Sequence, residues 1–319
     1  MASQWLRRAW LLAACASALA LAACGGGGGD IVSKLSPKRV VTFGDAMADL
    51  GQNGGRYTVN DGSVNNWTAF VASSYGLSVA PSTAGGTAYA YGNARVVAKP
   101  DAAGNTATPT VQEQIDAFLA TGRPQESDLL IVSAGTSDVI VQAQAALAGT
   151  QTRDQMLAAV GQAGRDLAAQ VRRLVSAGAR QVVVSGPYNL GRSPWAVNLG
   201  QQSLLEAASS RFNDQLLIAM VDLGANVLYV DAALQYNLYT GNPGSYGLTN
   251  VTTPVCTSLD PGPGIGTGSG QFNSRLCTTS TLAAGSTYSQ YLFADRVYPT
   301  PRGHQLFGDY AQSRIRERF

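Results

Sequence analysis

Arg39-Val40-Val41-Thr42-Phe43-Gly44-Asp45-Ala46-Met47-Ala48-Asp49 decides how the rest of the chain is read. Its first five residues are a β-branched, apolar run, and Gly44-Asp45 closes it, which is the pattern of a buried strand followed by a turn. Asp128 to Ala134, ending at Gly135, repeats the pattern; Gln181 to Val184 and Asn226 to Val230, the latter ending at Asp231, repeat it twice more. Between these runs lie helical stretches: Trp67 to Tyr75, Thr110 to Leu119, Ile140 to Leu147, Arg153 to Val175 and Ser203 to Leu223. A closing helix is expected from Arg302 to about Ile315, with Thr300 as its N-cap and Pro301 at its first position. Strands alternating with helices predict a three-layer α/β/α sandwich around an open, mostly parallel sheet, with any site at the carboxyl ends of the strands. Leu238 to Gln290, rich in Gly, Ser, Thr and Asn, is expected to be a long surface excursion.

Several blocks, taken in order, resemble those of SGNH/GDSL hydrolases. Phe43 to Asp49 is similar to the opening block, whose signature is Gly-Asp-Ser at the end of the first strand. Gly86 to Arg95 resembles the second, in which a Gly offers its backbone N–H to an oxyanion. Gly135-Thr136-Ser137-Asp138 looks like the third, Gly-x-Asn-Asp, and Asp295-Arg296-Val297-Tyr298-Pro299-Thr300 like the last, Asp-x-x-His-Pro-Thr. Asn242-Pro243 through Tyr246-Gly247 to Asn250-Val251 is similar to a segment of bacterial lipase-like members. The resemblance implies an SGNH-hydrolase fold, flavodoxin-like in its layering, over residues 37–319 as a single domain, and carboxylic ester hydrolysis as the family's chemistry.

Carried over position by position, however, the resemblance leaves that chemistry short of parts. Acyl transfer needs a nucleophile, a base to take its proton, and donors for the oxyanion. The nucleophile position holds Ala46, which has no oxygen. The base position holds Tyr298, and a phenol with a pKa of about 10 accepts protons poorly near neutrality. The oxyanion positions are Gly92 and Ser137, the latter where the family has Asn; Asp295 keeps the orienting carboxylate. The implied protein is a family member without hydrolase activity, retaining its cleft for an ester, acyl or glycan ligand or serving as an envelope interaction module. The alternative is an active ester hydrolase with a rearranged site built on His304, the only histidine, and a nearby serine such as Ser133 or Ser137. His304 otherwise reads as half of a Gly-His packing pair on the closing helix. Asp45 and Asp49 can pair with Asp138 or Asp295 as a carboxylate site, or serve as turn and helix caps.

The N-terminus points to the cell envelope. Arg7 and Arg8 precede an apolar stretch from Ala9 to Ala20, a signal-peptide pattern over residues 1–23 that is too short to span a bilayer. Leu21-Ala22-Ala23-Cys24 resembles the lipobox of bacterial lipoproteins, which would make Cys24 the lipidated residue and partner it with a membrane. An ordinary secretory signal with an incidental Cys is the other reading, since Leu12-Ala13-Ala14-Cys15 repeats the tetrapeptide. Residues 24–36, with Gly25 to Gly29, read as a tether, and Gly25 after the Cys favours the outer membrane by resemblance to Gram-negative lipoproteins.

Composition bounds the rest. With 45% hydrophobic and 13% charged residues the chain is globular rather than disordered. Arg7 and Arg8 account for the formal charge of +2, so the remainder is near neutral and offers no basic stripe for nucleic acid. A single His excludes zinc-type spacing, the Gly262 to Gly270 loop follows no strand and reads as no phosphate cradle, and no cofactor is expected. Cys256 and Cys277 read as a disulfide in an exported protein, or as two unpaired thiols.

Overall fold

The computed structural model describes residues 35–319. The expected signal peptide, Cys24 and most of the expected tether lie outside the described residues.

Four parallel strands form the sheet in the order β1-β2-β3-β4: Arg39–Gly44, Asp128–Ser133, Gln181–Ser185 and Val227–Tyr229. Register runs from Thr42 to Ile131 to Val183 to Leu228 across the sheet. Ala88 adds a bridge at the free edge of β1, where the Tyr89 N–H donates to the Thr42 carbonyl at 2.7 Å. Every residue of β2 is buried, as are all but the first of β1 and β3. Both faces of the sheet are therefore covered, which is why these strands read as continuous apolar runs and not as alternations.

The helices are α1 Trp67–Ser74, α2 Val111–Thr121, α3 Thr136–Leu147, α4 Arg153–Ser176, α5 Pro194–Leu199, α6 Gln202–Ala219, α7 Ala232–Gly241 and α8 Pro301–Arg318. Their starts follow from local chemistry. Thr110 and Glu113 close a capping box at α2, Thr152 and Gln155 another at α4, and Thr300 caps α8 with Pro301 at its first position. Helices α4 and α6 pack along each other, with α2 and α3 against α4, while α1 and α8 pair separately. The result is the SGNH-type α/β arrangement.

Three expectations need correction. Helix α3 begins at Thr136, four residues earlier than its apolar periodicity suggested, because a carboxylate from another loop caps it. Helices α5 and α7 were not legible as such; Asp231, read as a strand end, is the N-cap of α7, its side chain accepting the Leu234 N–H at 2.9 Å. The excursion after α7 is not confined to the surface. Cys256 and Cys277 are bonded, with Cα atoms 5.8 Å apart, and with Val59, Val255 and Ala294 they form a small second core. Within the loop they close, a two-stranded antiparallel ribbon pairs Leu259 with Phe272, while Ile265 and Ser274 are fully buried. No helix among the described residues is long and apolar enough to cross a membrane.

Candidate functional site

The carboxyl end of β1 is held by its backbone. Gly44 adopts φ +144°, and a Cβ there would lie 1.8 Å from the Ser133 carbonyl oxygen, so only glycine lets β1 pass β2 this closely. The Gln114 side chain of α2 latches the same residue, accepting the Gly44 N–H at 2.8 Å and donating to its carbonyl at 2.9 Å.

Beyond this point three aspartates stitch the loops together. Asp45 accepts the Met47 N–H through Oδ1 and the Thr136 N–H, at 2.9 Å, through Oδ2, with Ser137 N–H at 3.4 Å; it thereby caps α3 from the opposite loop. Asp49 accepts from Gly51 and Gln52 through Oδ1 and from the Gly92 N–H through Oδ2 at 2.8 Å. Asp138 accepts the Val96 N–H at 2.9 Å and pairs with Arg95 at 3.2 Å. All three are buried, and burial raises each carboxyl above its ordinary range, Asp45 to about 7. The capping role, not a carboxylate pair, is what the geometry assigns to Asp45 and Asp49.

Asp295 is bound on all sides. Its Oδ1 accepts the N–H groups of Val297 at 2.8 Å and Tyr298 at 2.7 Å, and its Oδ2 accepts the backbone N–H and the hydroxyl of Ser274 from the disulfide-closed loop. Burial raises its pKa too, against these four donors. Tyr298 is 0% exposed and its hydroxyl has no partner; burial and the nearby carboxyls of Asp45 and Asp295 push its pKa well above that of a free phenol. Tyr57 packs edge-on against it with ring centroids 5.3 Å apart and covers Gly92 so closely that a Cβ on Gly92 would lie 2.0 Å from the Tyr57 ring. Ala46 and Ser137 are both 0% exposed, and the Ser137 hydroxyl also lacks a partner.

His304 lies on α8. Its Nδ1 accepts the Trp67 backbone N–H at the start of α1, at 3.3 Å, and burial lowers its pKa to about 3. Among the described residues no hydroxyl hydrogen-bonds to either ring nitrogen.

A family model described as GDSL-like Lipase/Acylhydrolase matches residues 40–311. The chain belongs to that family. A Pseudomonas putida protein, named as an uncharacterized protein in the trpE-trpG intergenic region, is 28% identical over 151 residues, covering 47% of this chain and 24% of its own length. Lipase 1 of Photorhabdus luminescens is 31% identical over 157 residues, covering 48% of this chain and 22% of the lipase. The chain thus spans about a quarter of the length of these curated relatives. Two crystal structures align over 88% of this chain and 96% and 98% of theirs, with TM-scores of 0.46 and 0.42 and identities of 14% and 12%.

In this GDSL-family chain the four matching blocks do come together at the carboxyl ends of β1 and β2. The bonds from Asp45 to Thr136, Asp49 to Gly92 and Asp138 to Val96 join the first three. Tyr298, close to both Asp45 and Asp295, brings in the fourth. His304 is not among them. Three residues that shape the cluster escaped the sequence reading: Tyr57, Gln114 and Ser274. Tyr57 stood in a polar segment with no periodicity, and Ser274 in an excursion without a motif, so neither carried a signal. Gln114 did, as a polar residue on the apolar face of α2.

Proposed function

We propose that this chain is a GDSL-family domain without ester hydrolase activity, acting as a ligand-binding or interaction module at the bacterial cell envelope. The observation that carries the reading is a single one. The family's nucleophile and base positions hold Ala46 and Tyr298, both buried, while the Gly92 N–H that would meet an oxyanion already bonds to Asp49. Neither of these two side chains can supply an attacking oxygen or take its proton near neutrality, and among the described residues no hydroxyl hydrogen-bonds to the imidazole of His304. Loss of a Ser or His from a working triad costs about 10⁶-fold in kcat, near 8 kcal/mol of barrier. A relocated site on His304 finds little support, since that imidazole is buried, neutral and spent on the α1 backbone.

Membrane attachment through a lipidated Cys24, with the Gly-rich tether holding the domain off an outer-membrane surface, completes the proposal. Each buried acyl methylene contributes about 0.8 kcal/mol, so a multiply acylated Cys anchors firmly. Two assays test the reading. Short p-nitrophenyl esters should not turn over above the buffer rate, and turnover abolished by His304→Ala would overturn the inactive reading. Labelling of cells with radioactive palmitate should tag the protein and fail in Cys24→Ala; equal labelling of both would remove the anchor.

A further inference from the structure

A polar cleft of about 420 Å³ opens at Gly92, which is part of its lining. Two loops wall it. The segment after Gly92 contributes Asn93, Asp101 and Asn105, and the loop closed by the Cys256–Cys277 disulfide contributes Asp260, Asn273 and Arg275. Asn93 Nδ2 donates to the Gly264 carbonyl at 2.9 Å and ties the walls together.

The lining is fixed before any ligand arrives. Asp101 accepts the N–H groups of Ala103 and Asn105 and the Thr108 hydroxyl; Asp260 accepts the Gly262 N–H and the Asn273 amide. Asn93 is 7% exposed and holds a left-handed backbone at φ 64°, and its Oδ1 has no donor.

The chemistry of the walls selects the ligand. No aliphatic side chain larger than Pro263 or Ala103 lines the cleft, so it does not suit an acyl chain. One guanidinium, already donating to the Asn53 carbonyl, stands with two carboxylates, so it does not suit an anion. Among the described residues no three His, Cys, Asp or Glu side chains gather to hold a cation. Side-chain amides and carboxylates around the edge of the Tyr57 ring match groups that both donate and accept, which hydroxyls do.

We infer that this cleft binds a neutral, hydroxyl-rich molecule of saccharide type, one or two sugar units in size. The inference rests on the reading of the chain as a binding module and names its ligand class. The test is calorimetric titration of the full mature chain with maltose, with N,N'-diacetylchitobiose, and with octanoate as the acyl comparator. Saturable binding of at least one sugar is expected, with none for octanoate. Affinity should fall tenfold or more in Asn93→Gly, which keeps the backbone and removes the amide, and measurably in Asn53→Ala at the exposed rim. Absence of saturable sugar binding, displacement of the sugar by octanoate, or affinity unchanged in both variants overturns it. A p-nitrophenyl ester assay on the same sample separates the two failures. No sugar binding without turnover overturns only the ligand assignment, whereas turnover overturns the inactive reading beneath it.

Discussion

Asp49 Oδ2 lies 2.8 Å from the backbone nitrogen of Gly92, so the donor that an oxyanion would use is taken by a carboxylate of the same protein. The other oxygen of Asp49 holds Gly51 and Gln52. Asp49→Ala would orphan these buried N–H groups, and at about 1 kcal/mol or more for each it should cost roughly 3 kcal/mol. Urea denaturation reads this directly; a loss below about 1 kcal/mol would show that the carboxylate does not hold the loops together.

Asp295 makes a parallel case on the other side of the cluster. With four donors converging on it, including both from Ser274, it is a structural anchor between the closing block and the disulfide-closed loop. Asp295→Ala should destabilise the domain by about 3 to 5 kcal/mol, and Ser274→Ala by about 1 kcal/mol, in the same measurement. A fully stable Asp295→Ala protein would contradict this role.

Stability should depend on pH through two residues of opposite sign. His304 has a folded pKa near 3, below the unfolded value, so the unfolded chain takes up the proton first and stability is lost as pH falls from about 6.5 toward 3. Asp45 has a folded pKa near 7, above the unfolded value, so the stability it contributes is present at low pH and lost as pH rises from about 4 through 7. Between pH 7.5 and 5, His304→Asn should therefore gain on the wild type by up to about 2 kcal/mol. Asp45→Asn should lose ground over the same interval. Denaturation midpoints at the two pH values check both signs.

The Cys256–Cys277 bond closes a loop with a sequence separation of 21 residues. Replacing both with Ser should cost about 3 kcal/mol by the chain-entropy account. The loss should appear first as proteolysis within residues 257–276, since that loop's contacts with Asp295 and Asn93 depend on its being held in place.

Much of this was legible in the sequence because it is written in short-range chemistry. The four strands announce themselves as β-branched runs ended by Gly or Asp, and Thr110 with Glu113 or Thr300 with Pro301 mark helix starts by residue type alone. The family blocks located Ala46, Gly92, Ser137, Asp295 and Tyr298, but not what surrounds them. Tyr57 reaches Gly92 across 35 positions, and Ser274 reaches Asp295 across 21, through loops without periodicity. The start of α3 was missed for the same reason, its capping carboxylate, Asp45, lying 91 positions away.

Restoring side chains should not suffice to restore chemistry. The variant combining Ala46→Ser, Ser137→Asn and Tyr298→His keeps Tyr57 over Gly92 and Asp49 on its N–H. It should remain inactive toward p-nitrophenyl acetate, and adding Tyr57→Ala alone should not restore turnover, because Asp49 still holds the Gly92 N–H. Hydrolysis by the triple variant alone would show that the covering ring yields to substrate.

A fluorophosphonate probe, which captures a base-activated serine whatever its natural substrate, tests the missing nucleophile most directly. Intact-mass measurement of the wild-type protein after incubation should find no adduct. A stoichiometric phosphonyl adduct on any serine, lost in His304→Ala, would contradict the account.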